Sequence, residues 1–460
     1  MRHMKLFWLI FLFCVQAFAV DANLYNLLKN TFDYTGFPEI GKSDVENIKK
    51  LSANDADAMY CMGVLSFRGL GKVERNNYEA LKYFTNASLF GNADALAAVG
   101  YFYMEGIALK QNSANAVKYF ERAKTSAAAL NFLGVCHLKE LGVEKSKQKA
   151  EELFNEAIKA GSVRAKISLA MCKMEGKEKN LQEALSLLKE AGNSGNAIAQ
   201  CNIATFYLKG VFGAKDPKQA YLWFEKSATM QYPQAQLALS KLYLDGNGVE
   251  KDANKALYWA QRAAYNGSGE AMNAAGLMLS GKISGASTDP KMAFEYFKNS
   301  VDNGYEKALD NLGDCYFYGI GTERDFKEAA RYYRRSAYKN SAYSQTMLAE
   351  IKLEGLDGQR NNREAVRWLK KAADSGFVQA QSRLGAVLLE DDSDKERVPE
   401  AVHYLKKAAD AGDIEAMGNL GACYAIGIGV TKNRDEAIRL LKQAASLGNE
   451  DAASALSRLR

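Results

Sequence analysis

Gln234–Gly267, QAQLALSKLYLDGNGVEKDANKALYWAQRAAYNG, is the stretch that decides the fold. Ala235, Leu239, Leu242 and Leu244 recur at helical spacing, and Gly246-Asn247-Gly248 ends the first helix, because glycine reaches left-handed backbone angles without a Cβ clash. Asp252 opens a second helix, since its carboxylate can accept from the free N–H groups of the first turn. Ala256, Trp259, Ala260 and Ala263 then form an apolar stripe that closes at Gly267. Two helices of this length cannot bury their own apolar faces, so the pair needs copies of itself on both sides.

The copies are present. Aligning on one small residue of the first helix gives Gly63, Gly100, Gly134, Ala170, Ala204, Ser240, Gly276, Gly313, Ala349, Gly385, Gly421 and Ser457, in steps of 34 to 37 residues. Five positions before each anchor stands a small residue, from Ala58 to Ala452 with Ser344 the one exception to alanine, as close helix crossing requires. Capping residues precede the second helices at Asn76, Asn112, Ser146, Asn180, Asp216, Asp252, Asp289, Asp325, Asn361 and Asn433, and Arg397, followed by Pro399, breaks the rule. Most second helices close on glycine, from Gly91 to Gly448, with Asn340 able to substitute. The organisation read from these columns is eleven repeats over residues 56–449 and a closing helix over 450–460. The second repeat is shortened at Ala127, and the run Glu390-Asp391-Asp392-Ser393-Asp394 replaces one glycine turn.

Two segments carry a family pattern: Asn419-Leu420-Gly421-Ala422-Cys423-Tyr424-Ala425-Ile426-Gly427-Ile428-Gly429-Val430, and Ala365-Val366-Arg367-Trp368-Leu369-Lys370-Lys371-Ala372-Ala373-Asp374-Ser375-Gly376. This pattern resembles the Sel1-like repeat, a relative of the tetratricopeptide repeat. The resemblance implies an all-α, right-handed α/α superhelical solenoid that serves as an interaction scaffold, with first helices lining its concave side.

The start of the chain reads as an address. Arg2 and Lys5 precede the apolar run Leu6–Val15, and Ala17-Phe18-Ala19 is a small-x-small cleavage signal, so residues 1–19 are expected to be a secretory signal peptide. The run is shorter than the roughly 20 residues a spanning helix needs, and no later stretch could span a membrane. Cys14 follows Phe13 where a lipoprotein signal wants a small residue. The expectation is an exported protein, periplasmic or secreted in a bacterium, lumenal or extracellular in a eukaryote. Asn86-Ala-Ser88 and Asn266-Gly-Ser268 would then be glycosylation acceptors. Residues 20–55 lack the period. Leu24–Phe32 reads as a helix and Ser43-x-x-Glu46 as a capping box before another, together an N-terminal cap for the first repeat.

A net charge of +6, or +4 without Arg2 and Lys5, is spread through the chain and argues against nucleic acid. Cys136, Cys172, Cys315 and Cys423 share a column that elsewhere holds Phe102, Phe206, Leu242 and Met278. Equivalent positions in neighbouring repeats lie beyond the roughly 7 Å that a disulfide tolerates. Buried thiols in this apolar column are therefore favoured, with disulfides and a metal site as the alternatives for the six cysteines, Cys61 and Cys201 included, that would remain after cleavage. The cysteine-rich secreted relatives in Helicobacter and Campylobacter staple each helix pair with one cysteine per helix, and no second helix here has one. His137 and His403 stand too far apart to share a site, and no CxxC pair exists. Neither a metal nor a cofactor is expected, and no enzyme.

Some of those relatives are described as β-lactam-binding or β-lactamase-like, which makes a periplasmic β-lactam-binding enzyme the alternative from another class. Ser146-x-x-Lys149 and Ser186-x-x-Lys189 fit SxxK by spacing, but neither has an SDN or KTG companion. A secreted effector, or a lumenal adaptor resembling the Sel1 component of a membrane ubiquitin-ligase complex, would share the scaffold. The favoured reading is a scaffold for a protein or peptide ligand. Three positions per first helix, at three before, one after and five after the anchor, vary freely. They give Lys139, Lys209 and Lys241 in the middle of the chain, then Asp310, Asp314, Tyr318, Glu350, Glu354 and Glu390. A segment with a basic portion is expected along the latter six, held by charge pairs and by Tyr318.

Overall fold

The computed structural model describes Tyr25, Leu28 and residues 40–175, 180–390 and 395–459, and every regular element among them is helical. The signal peptide and nearly all of Leu24–Phe32 lie outside the described residues, as do Asp391–Asp394. The chain forms two compact units, one ending at Asn266 and holding six helix pairs, the other running from Gly267 and holding five pairs and the closing helix Glu450–Leu459.

The quoted stretch folds as Pro233–Asp245 and Ala253–Tyr265. Gly246 takes φ +68°. Gly248, at φ +81°, is needed for a second reason: a Cβ there would lie 2.3 Å from the carbonyl oxygen of Pro217, so a bare backbone lets the turn close on the second helix of the preceding pair. The Asp252 carboxylate accepts from the Lys255 N–H at 2.9 Å.

All ten predicted caps accept a first-turn N–H through their side chains, from Asn76 to Asn433. Arg397 supplies no side-chain cap; a 3-10 turn over Lys395–Arg397 leads instead into Val398–Asp410. The closing glycines sit at positive φ, joined by Asn340 at +67° and by Gln231 at +60°, which the sequence pattern does not reveal. The shortened second repeat has a ten-residue second helix, Ser113–Arg122, and Ser126 caps the helix that follows.

Packing explains the anchor column. A Cβ on Gly63, Gly100, Gly134 or Gly276 would fall 2.5–2.6 Å from a ring carbon of Phe84, Phe120, Phe154 or Phe297 on the partner helix. Where the anchor is Ala170 or Ala349, the buried residue of the partner helix in the same core cluster is the smaller Leu188 or Leu369, whereas Ala204 shares its cluster with Phe224. Glycine costs about 1 kcal/mol in a helix interior, which is offset by letting an aromatic ring lie against bare backbone; truncating such a ring costs about 3–5 kcal/mol. Successive pairs are laced by buried glutamines: the side chains of Gln200 and Gln236, like those of Gln345 and Gln381, donate to carbonyls at the end of the preceding second helix, at 2.8–3.1 Å. Neighbouring core clusters share side chains, Leu187 and Trp223 in the first unit and Trp368 and Leu389 in the second, so each core continues from pair to pair.

The N-terminal region differs from expectation in one detail. Its helix is Lys42–Leu51, and the Asp44 carboxylate reaches back to the Gly41 N–H at 3.0 Å, so Gly41 and Asp44 form the start in place of Ser43 and Glu46. Ile48 is buried beneath it.

Candidate functional site

Within each unit the backbones of successive first helices approach more closely than those of successive second helices, as for Ala93–Glu105 with Ala127–Lys139 and for Val378–Glu390 with Ile414–Ile426. That difference places the first helices on the inner side. Their side chains interlock: Tyr101 stacks on Phe132 with centroids 5.2 Å apart, and Arg383 meets Glu350 at 2.9 and 3.1 Å. The position one after an anchor therefore meets the position two before the next anchor, forming a seam between repeats.

This seam changes the roles of the predicted acidic row. The Asp310 carboxylate accepts from the hydroxyls of Ser336, Ser341 and Ser344, tying two helix pairs together. Asp314 is 5% exposed. One of its oxygens accepts from the Tyr333 and Tyr343 hydroxyls, each at 2.7 Å, and the other pairs with Lys282 at 2.5 Å. Burial, with Asp314 beside them, pushes both phenols far above their ordinary range. Glu350 is committed to Arg383; burial is the largest single influence on that guanidinium and disfavours its charge, but the hydrogen bonds and charge of Glu350 with the charges of Glu390 and Glu354 together outweigh it, a net upward shift. Glu354 lies 3.8 Å from the same guanidinium. Asp310, Asp314 and Glu350 are thus internal partners, and the charge this row could offer a basic segment is largely spent.

Four predicted residues do face solvent: Lys241, Tyr318, Glu354 and Glu390 are exposed, Tyr318 at 52%. Lys241 belongs to the first unit and the other three to the second. In the first unit two residues from before the repeats, Tyr25 and Leu28, pack against the first helices. Tyr25 places its ring 5.8 Å from that of Tyr60, donates its hydroxyl to Asp94 at 3.0 Å and accepts from Asn92 at 3.2 Å, while Leu28 is fully buried.

Glu354 and Glu390 line a groove of about 500 Å³ whose other charged lining is basic: Arg360, Arg363, Arg367, Lys370, Arg383 and Arg397. Reading the first helices alone misses it, because three of these cations lie at i, i+4 and i+7 on one second helix, Asn362–Asp374.

Among the described residues six cysteines are free, five of them buried and Cys201 partly so. The Ser146 hydroxyl accepts from the Lys149 N–H at 3.2 Å as a helix cap, and Ser186 is exposed within Leu181–Asn193. His137 Nδ1 lies 3.0 Å from the Glu144 carbonyl oxygen, across its own turn. Among the described residues no helix is long and apolar enough to cross a membrane.

Stacked antiparallel pairs with an inner wall of first helices define an α/α solenoid of the scaffold class. The chain belongs to the Sel1 repeat family: the Sel1 repeat model matches eleven consecutive copies, from residues 56–89 to residues 414–449. It is similar in structure to a protective antigen present in uropathogenic Escherichia coli strains, at 25% identity and a TM-score of 0.64, covering 91% of this chain and 90% of that one. A Sel1 repeat protein from Oxalobacter formigenes matches at 27% identity and a TM-score of 0.55, over 71% of this chain and 93% of its own. Chitin synthase regulatory factor 3 of Schizosaccharomyces pombe is 32% identical over 109 residues, which are 23% of this chain and 12% of that protein.

Proposed function

We propose that this protein is exported and acts as a scaffold that holds a segment of another protein against its wall of first helices. The observation that carries the reading is Tyr25. A residue from outside the repeats lays its ring on Tyr60 and secures its hydroxyl with Asp94 and Asn92, which is how a partner's aromatic anchor would be held on the same wall. Membership of the Sel1 repeat family supports protein partners, and the basic-apolar-small pattern of residues 1–19 supports export. Tyr318, Glu354 and Glu390 are the exposed contacts offered by the second unit and Lys241 by the first, while Asp310, Asp314 and Glu350 hold the wall in shape.

The test is photo-crosslinking in intact source cells, with benzoylphenylalanine replacing Tyr318 in one variant and Tyr265, an 86% exposed second-helix residue, in another. The reading expects one protein captured from position 318 and none from 265. Equal capture from both positions, or none from 318, would overturn it.

A further inference from the structure

We propose that the groove between the pairs 342–374 and 378–410 binds an acidic protein segment, one rich in Asp and Glu, through Arg360, Arg363 and Arg367; this names the ligand chemistry of the scaffold reading and rests on it. Six cations line the groove against two carboxylates. Three of the six are already matched, Arg383 by Glu350 and Glu354, and Lys370 and Arg397 by Glu400. Arg360 makes its hydrogen bond to the neutral Asn362 side chain at 3.3 Å. Among the described residues neither it nor Arg363 nor Arg367 pairs with a carboxylate.

The arrangement is costly without a ligand. Arg363 and Arg367 are four apart on one helix, with Lys370 three further on, and like charges at these spacings repel. Elsewhere the chain answers such charges locally, as Glu328 answers Arg331 and Glu436 answers Arg439. Here the helix leaves both arginines exposed beside the apolar floor of Leu353, Val366 and Val387. Arg363 also lies in the first turn, where unpaired N–H groups favour an anion. The volume is in the range that seats a few side chains, and guanidinium forks match carboxylates bidentately. A nucleic acid fits less well, because the net charge of +6 over 460 residues forms no extended basic track.

The full mature chain is titrated into a fluorescein-labelled ten-residue peptide of alternating Glu and Asp, followed by anisotropy, with the Gln/Asn version as control. Binding should be selective for the acidic peptide and should weaken at least about tenfold in R363E/R367E, with little change in R331E/R335E, which reverses two exposed charges at the same spacing one pair earlier. An unaltered circular dichroism melt certifies the fold of each variant. Equal loss in both double variants, or no binding by the wild type, would overturn the assignment. So would an equal dependence on Arg363 and Arg367 for a single-stranded oligonucleotide, which would make the ligand nucleic acid. Binding that appears only after Asp391, Asp392 and Asp394 are changed to Asn would also overturn it, by making the chain's own acidic run the occupant. If the peptide fails while crosslinking from position 318 still captures a protein, the groove assignment falls and the scaffold reading stands.

Discussion

The pairing of a bare anchor with a large ring sets a quantitative test at Gly134 and Phe154. A Cβ at residue 134 would sit 2.6 Å from Cε1 and 2.8 Å from Cδ1 of Phe154, about 1 Å inside the carbon–carbon contact distance of roughly 3.5–4.0 Å. Gly134→Ala gains about 1 kcal/mol of helix propensity and incurs an overpacking cost of about 1–3 kcal/mol, so a net loss near 1 kcal/mol is expected. Phe154→Leu alone should cost about 1–2 kcal/mol, because the ring is fully buried and its loss leaves a partial cavity. The double variant recreates the alanine–leucine pairing found at Ala170 with Leu188 and at Ala349 with Leu369. It should be no less stable than Phe154→Leu alone, a coupling of about 1 kcal/mol between residues in contact. Because a long array need not unfold in one step, the assay is amide hydrogen exchange in Ala127–Lys139 and Lys147–Lys159. Additive losses in the double variant would refute the packing argument.

Two further outcomes follow from the same structure and a third from the sequence of residues 1–19. Asp314→Leu leaves the buried Tyr333 hydroxyl and the half-buried Tyr343 hydroxyl without their acceptor and should cost about 1–3 kcal/mol, read as lost exchange protection in Leu309–Tyr318 and Phe326–Tyr338; unchanged protection would refute it. Burial pushes the thiols of Cys136 and Cys172 up to about 11 and those of Cys201 and Cys315 up to about 12. Unfolded thiols release their protons from about pH 8.5, so the folded form binds more protons above that point and the melting temperature should fall from pH 9 to pH 11. A rise would contradict the assignment, as would rapid labelling of these thiols by a disulfide reagent in the native protein at pH 8. N-terminal sequencing of the exported chain should begin at Val20, and an intact Met1 in all of it would refute cleavage.

Most of the fold was legible because its signals are local and repeated. A cap side chain bonds within its own first turn, so Asn76 through Asn433 could be placed from spacing alone, and a closing glycine needs only its own φ. What escaped the sequence was contact between repeats. Glu350 and Arg383 stand 33 residues apart, and a column that varies freely looks the same whether it faces water or the next helix, so Asp310 and Asp314 were read as open when each already satisfies three donors. The cap at Gly41 was missed because a glycine offers no side chain and the box is completed by Asp44 alone. The basic groove is built on a second helix, outside the varying row of the first helices, although the Arg363, Arg367 and Lys370 spacing is written plainly in the chain.

The central claim is that the wall of first helices is the surface that receives a partner. Hydrogen exchange of the chain with and without the protein captured from position 318 tests this most directly. The account predicts new protection in Leu309–Tyr318, Ala342–Glu354 and Val378–Glu390, with the outward faces of the second helices unchanged. Protection confined to those outward faces would contradict it.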